Sequence, residues 1–141
     1  MIRPDSRLLR VSKTFTGASG NGAAGTVAVA TLTGRVIVDE FVGHCTNSLT
    51  TTGVATIALG SANNTGGLIA ATTATTIDTG FSWVDTGTIG TIESTRMGGL
   101  TTLVYTISES LIYTIASADI NGGTLDMYIW WRPLTSNGNL A

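Results

Sequence analysis

Residues 111–132 read LIYTIASADINGGTLDMYIWWR, and two alternations in this stretch decide the fold class. Leu111, Tyr113 and Ile115 share one side of an extended segment, and Leu125, Met127, Ile129 and Trp131 share one side of another. A period of two belongs to a strand with one buried face, whereas a helix face repeats near every 3.6 residues. Asn121-Gly122-Gly123 between the runs predicts the turn, because asparagine and glycine tolerate the backbone angles of tight hairpins. The second run puts Trp131 on the core side. Trp130 falls on the opposite face with Asp126, Tyr128 and Arg132.

The same texture extends toward the N-terminus. In residues 9–15, Leu9, Val11 and Phe15 face one way and Arg10, Ser12 and Thr14 the other. Residues 26–33 (TVAVATLT), 35–46 (RVIVDEFVGHCT), 53–59 (GVATIAL), 88–93 and 100–107 read as further strands, rich in β-branched residues that fit a pleated surface. Adjacent Asp39 and Glu40 break the alternation and predict a bulge. Gly17, Gly20, Gly22 and Gly25 predict a mobile loop around Asn21, and residues 61–67 (SANNTGG) form a turn cluster. Residues 68–80 fit either a short helix or a long surface connection. Phe81 and Trp83 share one side of a short extended piece. Helical periodicity is missing throughout, so the expectation is an all-β sandwich or barrel.

A chain of 141 residues suits one domain. Only 11% of its residues are charged, against about 25% in ordinary soluble proteins, and threonine and glycine fill the difference. With 43% hydrophobic residues and a net charge of −2, the composition argues against disorder. Seven basic residues against nine acidic ones make no dominant positive field, which argues against nucleic acid as a partner. A single cysteine, Cys45, excludes a disulfide within the chain. A folded monomer of this size exposes roughly 6,900 Å², leaving about one charge per 430 Å². Apolar patches of that order are near the upper limit for an isolated monomer. Much of the surface is therefore expected to face other subunits. The first 13 residues lack the apolar core of a signal peptide, and no apolar run is long enough to span a bilayer. Synthesis in a cytoplasm, with no membrane partner, is the expectation.

Catalytic chemistry finds little material. The only histidine, His44, adjoins the only cysteine, and neighbours on a strand point to opposite faces, so they cannot readily pair. One His and one Cys cannot close a zinc site within one chain, although a trimer axis could gather three copies of His44. Asp78, Asp85, Asp119 and Asp126 lie near turns or strand ends without a calcium-loop spacing. Asp126 and Glu109 across a final hairpin are one of many carboxylate pairs that a sheet offers. The glycine-rich loop at 17–25 matches no phosphate-binding pattern. The expectation is a protein with no catalytic residues, cofactor or metal.

Two features suit binding. Trp130, with Tyr128 and Arg132, has the residue types that protein interfaces favour; an ordinary surface or a sugar-stacking platform are the alternatives. Arg3, Arg7, Arg10 and Lys13 are four of the seven basic residues and form a basic arm, either a solubilising terminus or a contact for an acidic surface.

Three segments, RLLRVSKTFTGASGNGAAGTVAVATLTGRVIV (7–38), VATIALGSANNTGGLIAATTATTID (54–78) and ADINGGTLDMYIWWRPLTSNG (118–138), resemble a family of small tailed-phage virion proteins. The resemblance runs from about Arg7 to Gly138. It implies a structural role, with capsid decoration (cement) preferred: a homotrimer on the outside of a phage head that clamps neighbouring major capsid subunits. It also implies a single-domain, antiparallel, jelly-roll-like β-sandwich over residues 14–135. A basic arm, 1–13, would lead into the first strand, and 136–141 would form a tail. The expected partners are further copies of the chain and the phage major capsid protein, met on the outer capsid surface of the virion after synthesis in the host cytoplasm. Arg3, Arg7, Arg10, Lys13, Asn21, Tyr128, Trp130 and Arg132 are the expected contacts. The alternatives are a tail, neck or connector component, or a receptor- or glycan-binding spike head that uses Trp83 or Trp130.

Overall fold

The structure, a computed structural model, describes residues 2–84 and 105–141. The chain is an antiparallel all-β sandwich. Its strands are β1 (Arg7–Thr14), β2 (Gly25–Ala30), β3 (Leu32–Thr33), β4 (Val36–Thr51), β5 (Thr56–Gly60), β6 (Ile69–Thr73), β7 (Ser82–Trp83), β8 (Tyr105–Ile107), β9 (Leu111–Ala116), β10 (Ile120–Pro133) and β11 (Asn139–Leu140). One sheet runs β1-β10-β4, with β7 and β8 both on the far side of β4, and the other runs β2-β9-β5-β6. Apart from the β5–β6 hairpin, the pair β7 and β8 that share β4, and the small β3–β11 ribbon, the described strands pass repeatedly from one sheet to the other. That interleaving is the strand order of a jelly roll.

The inner faces of the two sheets share one core. Leu125, Met127 and Ile129 of β10 are fully buried, with Trp131 nearly so, as their alternation predicts. Each such side chain contributes about 1.5–3 kcal/mol through the surface it removes from water. Leu111, Tyr113 and Ile115 face them from β9. The Tyr113 ring lies 6.1 Å from that of Phe15 and 5.9 Å from that of Trp83. The Trp83 indole N–H donates to the Thr72 hydroxyl at 3.0 Å, which ties β7 of one sheet to β6 of the other.

The bulge is where the charges place it. Trp130 pairs with Glu40 and Trp131 with Val38, so Asp39 is the extra residue on β4. Val36 and Val38 face the core before it, and Phe41 and Cys45 after it. A regular strand puts residues an odd number of places apart on opposite faces, so the extra residue is what lets both sets turn inward.

Several expectations are corrected. Asn121, Gly122 and Gly123 lie inside β10, and the chain turns at residues 117–119, where Ser117 takes φ 73°. Asp119 pins this turn: its carboxylate accepts from the Ala24 N–H at 2.8 Å, and its carbonyl accepts from the Thr52 N–H at 3.1 Å. β9 and β10 therefore belong to different sheets and make no hairpin. The basic arm is shorter than 1–13, because Arg7–Thr14 pairs along its whole length with β10. The tail at 136–141 is docked, since Leu140 is buried and β11 pairs with β3. The 17–25 loop is a closed turn, with the Thr16 N–H donating to the Asn21 carbonyl and the Asn21 N–H to that of Ala18. Residues 68–80 hold β6 and a single 3-10 turn, Ala74–Thr76. Trp83 is buried while Phe81 is 58% exposed, so the two do not share an environment. The expected strand at 88–93 and the first part of that at 100–107 lie outside the described residues. Among the described residues, no helix is long and apolar enough to cross a membrane.

The Asn-Gly-Gly segment has a structural purpose of its own. Gly123 is passed over in the pairing with β4 and takes φ +103°, and a Cβ there would stand 2.6 Å from the Ser48 carbonyl oxygen. Gly123→Ala is expected to lower stability by about 2 kcal/mol, the scale of a strained backbone conformation. Gly66→Ala, where a Cβ meets nothing nearer than 3.5 Å, is the control. Urea unfolding of the two variants measures the difference; equal midpoints would contradict the strained bulge.

Candidate functional site

The outer face of the β1-β10-β4 sheet is the most chemically differentiated surface among the described residues. The register builds it in three rows: Leu8, Trp130 and Glu40; Arg10, Tyr128 and Val42; Ser12, Asp126 and His44. Tyr128 and Trp130 are two residues apart on one strand, so their rings stand side by side, with centroids 6.4 Å apart and planes inclined by 23°. The Arg10 guanidinium lies over Tyr128 at 5.5 Å and donates to the Asp126 carboxylate at 2.9 Å. Hydrogen bonds from Ser12 and Arg10 hold the Asp126 carboxyl below its ordinary range.

One end of this face is closed by a clamp. Arg132 donates through Nε and a terminal nitrogen to both oxygens of Asp39, at 2.9–3.1 Å, and the Ser6 hydroxyl donates to the same carboxylate at 2.6 Å. The side chains are only 17% and 4% exposed. Burial pushes the Asp39 carboxyl up, but the hydrogen bonds from Arg132 and Ser6 outweigh it and leave the group below its ordinary value. The bulge turns Asp39 toward Arg132, so the feature that corrects the core register also organises this edge.

The expected contact residues divide. Arg10, Tyr128, Trp130 and Arg132 come together on the outer face. Arg7 and Lys13 lie on the other side of β1, where the Arg7 guanidinium covers the Trp131 ring at 5.2 Å. Arg3 sits in the N-terminal turn, its N–H donating to the Ser6 hydroxyl. Asn21 folds back to donate to Thr16 within its own loop. Leu8, 54% exposed beside Trp130, belongs to the face and has no sequence signal beyond its alternation with Leu9. Asp39 and Ser6 were equally hidden, because their partners lie 93 and 33 residues away.

Other candidate groups are held apart. His44 is on the outer face and Cys45 in the core, where its thiol donates to the Asn47 carbonyl at 3.1 Å. Glu109 is engaged by Asn63 and Asp126 by Arg10, so they form no facing pair. Trp83, the other candidate for sugar stacking, is buried. Among the described residues, no three His, Cys, Asp or Glu side chains gather to hold a metal. No protein-family model, curated protein or solved structure matches the chain.

A buried bidentate pair leaves an uncompensated charge when one partner is removed, so Arg132→Met is expected to cost about 3 kcal/mol in urea unfolding. Arg10→Met, at a side chain 60% exposed, should shift the midpoint far less. Asp39 and Asp126 have folded pKa values below the unfolded value near 3.8. Their stabilisation is therefore present above that pH and lost as the pH falls through the folded values. The urea midpoint should hold from neutral pH down to about 4 and then decline. Asp39→Asn should start lower and decline less; an unchanged acid slope would contradict the clamp.

Proposed function

We propose that this chain is a structural protein of a phage virion, a capsid decoration protein that binds the outside of the head as a homotrimer and braces neighbouring major capsid subunits. The single observation that carries the reading is the outer face of β1-β10-β4, where the stacked Tyr128 and Trp130 and the exposed Leu8 stand among two arginines fixed by ion pairs within the sheet. Such a face meets another protein without first ordering its side chains, which removes part of the entropic cost of association. Tryptophan, tyrosine and arginine are also the residues that carry most binding energy at interfaces.

The remaining support is compositional. Only sixteen of the 141 residues are charged, and two of them, Asp39 and Asp126, are drawn into the sheet by their arginine partners. That scarcity fits a subunit covered by its own copies and by a shell. Bracing needs no bond-making chemistry: a trimer engages several sites at once, so weak contacts multiply, and binding to the assembled shell alone stabilises that state by mass action. The stacked Tyr128–Trp130 pair also favours a second reading, a glycan-binding head domain, because half-buried aromatic rings on an outer face suit the apolar faces of sugars.

Trp130→Ala tests the first reading. With folding checked by urea unfolding, the variant is expected to lose at least about tenfold in occupancy on undecorated heads, the scale of a single interface hot spot. Unchanged occupancy would remove this face from the proposed contact. Loss of binding to a glycan array in the same variant would instead favour the second reading.

A further inference from the structure

The geometry of β1 points to a second kind of contact, made by backbone rather than by side chains. Among the described residues β1 pairs with β10 on one side only, so it forms an edge of its sheet. The Phe15 N–H donates to the Gly123 carbonyl at 2.9 Å, which makes Phe15 and Gly123 a hydrogen-bonded pair. Such pairs alternate along an antiparallel ladder. Counted in twos along the register, Lys13, Val11, Leu9 and Arg7 are bonded to β10. The N–H and C=O groups of Leu8, Arg10, Ser12 and Thr14 consequently face outward. Side-chain geometry agrees: the Thr14 and Thr124 hydroxyls lie 3.1 Å apart, and Arg10 lies over Tyr128, as expected of the closer, non-bonded pairs.

This edge is unusually regular. Its pairing runs eight residues without a register shift, whereas the pairings of the edge strands β2 and β6 each contain one, and β7 has only two residues. Sheet proteins ordinarily blunt such an edge with a bulge, a proline or charge. Here only charge is used, and all of it on the strand has one sign: Arg7, Arg10 and Lys13. Residues 1–13 hold four cations against Asp5, while the rest of the chain holds three cations against eight acids. Arg10 is neutralised by Asp126, but among the described residues Arg3, Arg7 and Lys13 have no ion pair. A second β1 laid along this edge would bring cations against cations. An acidic strand would meet complementary charge and eight unpaired backbone groups.

We infer that the outer edge of β1 takes an extended acidic segment of a partner protein as an added strand. Main-chain hydrogen bonds to Leu8, Arg10, Ser12 and Thr14 supply the affinity, and Arg3, Arg7 and Lys13 select for acidic side chains. The inference rests on the edge alone and does not need the virion role.

The test is amide exchange by NMR on the full chain, with a capped octapeptide alternating Glu and Val and its counterpart alternating Lys and Val. With the acidic peptide, the Leu8, Arg10, Ser12 and Thr14 amides should exchange at least about tenfold more slowly, as expected once an amide is hydrogen-bonded. Those of Leu9, Val11 and Lys13 should not change, and the Lys peptide should have no effect. Leu8→Pro removes an outward donor without touching the ladder and should weaken binding. An acidic peptide N-methylated at alternate residues should fail on the unaltered protein, which keeps the test decisive if Leu8→Pro does not fold. Equal effects of the two peptides, or no protection at peptide concentrations on the order of 1 mM, would overturn the inference. So would protection of the four amides that rises with protein concentration alone, because a second copy would then cover the edge. Head occupancy lost in Trp130→Ala, with protection of the four amides by the acidic peptide kept in the same variant, separates this contact from the outer face.

Discussion

The pairing of β4 with β10 is the constraint on which the other features of the molecule depend. These are the two longest strands among the described residues, and each contributes its inner face to the core and its outer face to the candidate site. β10 keeps one alternation from Leu125 to Trp131. β4 cannot, because Val36 and Val38 lie on one parity and Phe41 and Cys45 on the other. One extra residue at Asp39 reconciles them, and without it half of β4 would present its apolar side chains to water. An acidic residue at that place would be a liability in a sheet, but Arg132 and Ser6 convert it into a fixed point. Core register, bulge and clamp are thus one solution to one mismatch.

The two faces of the same sheet are built on different principles. Inside, complementary shape holds Trp131, Met127 and Tyr113 in a single packing. Outside, Arg10, Asp126, Arg132 and Asp39 restrain the surface around two aromatic rings through mutual ion pairs. Side chains already restrained have less entropy to lose on contact, so such a surface is suited to recognition although most of its charges are already paired. Reactive groups do not converge there: His44 and Cys45 are separated by the thickness of the strand, and each carboxylate of the face is neutralised from within the sheet or lies at its rim.

Much of the fold was legible because its signals are local. Alternation in residues 125–131 gives the correct buried face, and the Asp39–Glu40 pair marks the bulge, since two adjacent charges cannot both stay on the outer side of a regular strand. The turn was misread for an equally physical reason. Asn121-Gly122-Gly123 has turn chemistry, but the same freedom serves a bulge, and only the partners of β9, namely β2 and β5, decide that the chain changes sheets at residues 117–119. The candidate site was half legible. Tyr128, Trp130 and Arg132 follow from parity on one strand, whereas the clamp joins residues 93 apart and depends on register across the sheet. Arg7 and Lys13 look like part of a flexible arm until β1 is seen to pair along its whole length.

Sparse charge, a jelly-roll strand order and a restrained aromatic face are the features on which the proposal of one subunit among several rests. The low charge gives little protection against association, and the exposed Leu8, Val54 and Leu134 add apolar surface that a solitary protein gains nothing by keeping. The most direct test is the molar mass of the purified 141-residue chain by light scattering over a tenfold range of concentration. A stable mass near three chains is the predicted result. A monomer throughout that range would contradict the account, because the uncharged surface would then have no partner among copies of the chain.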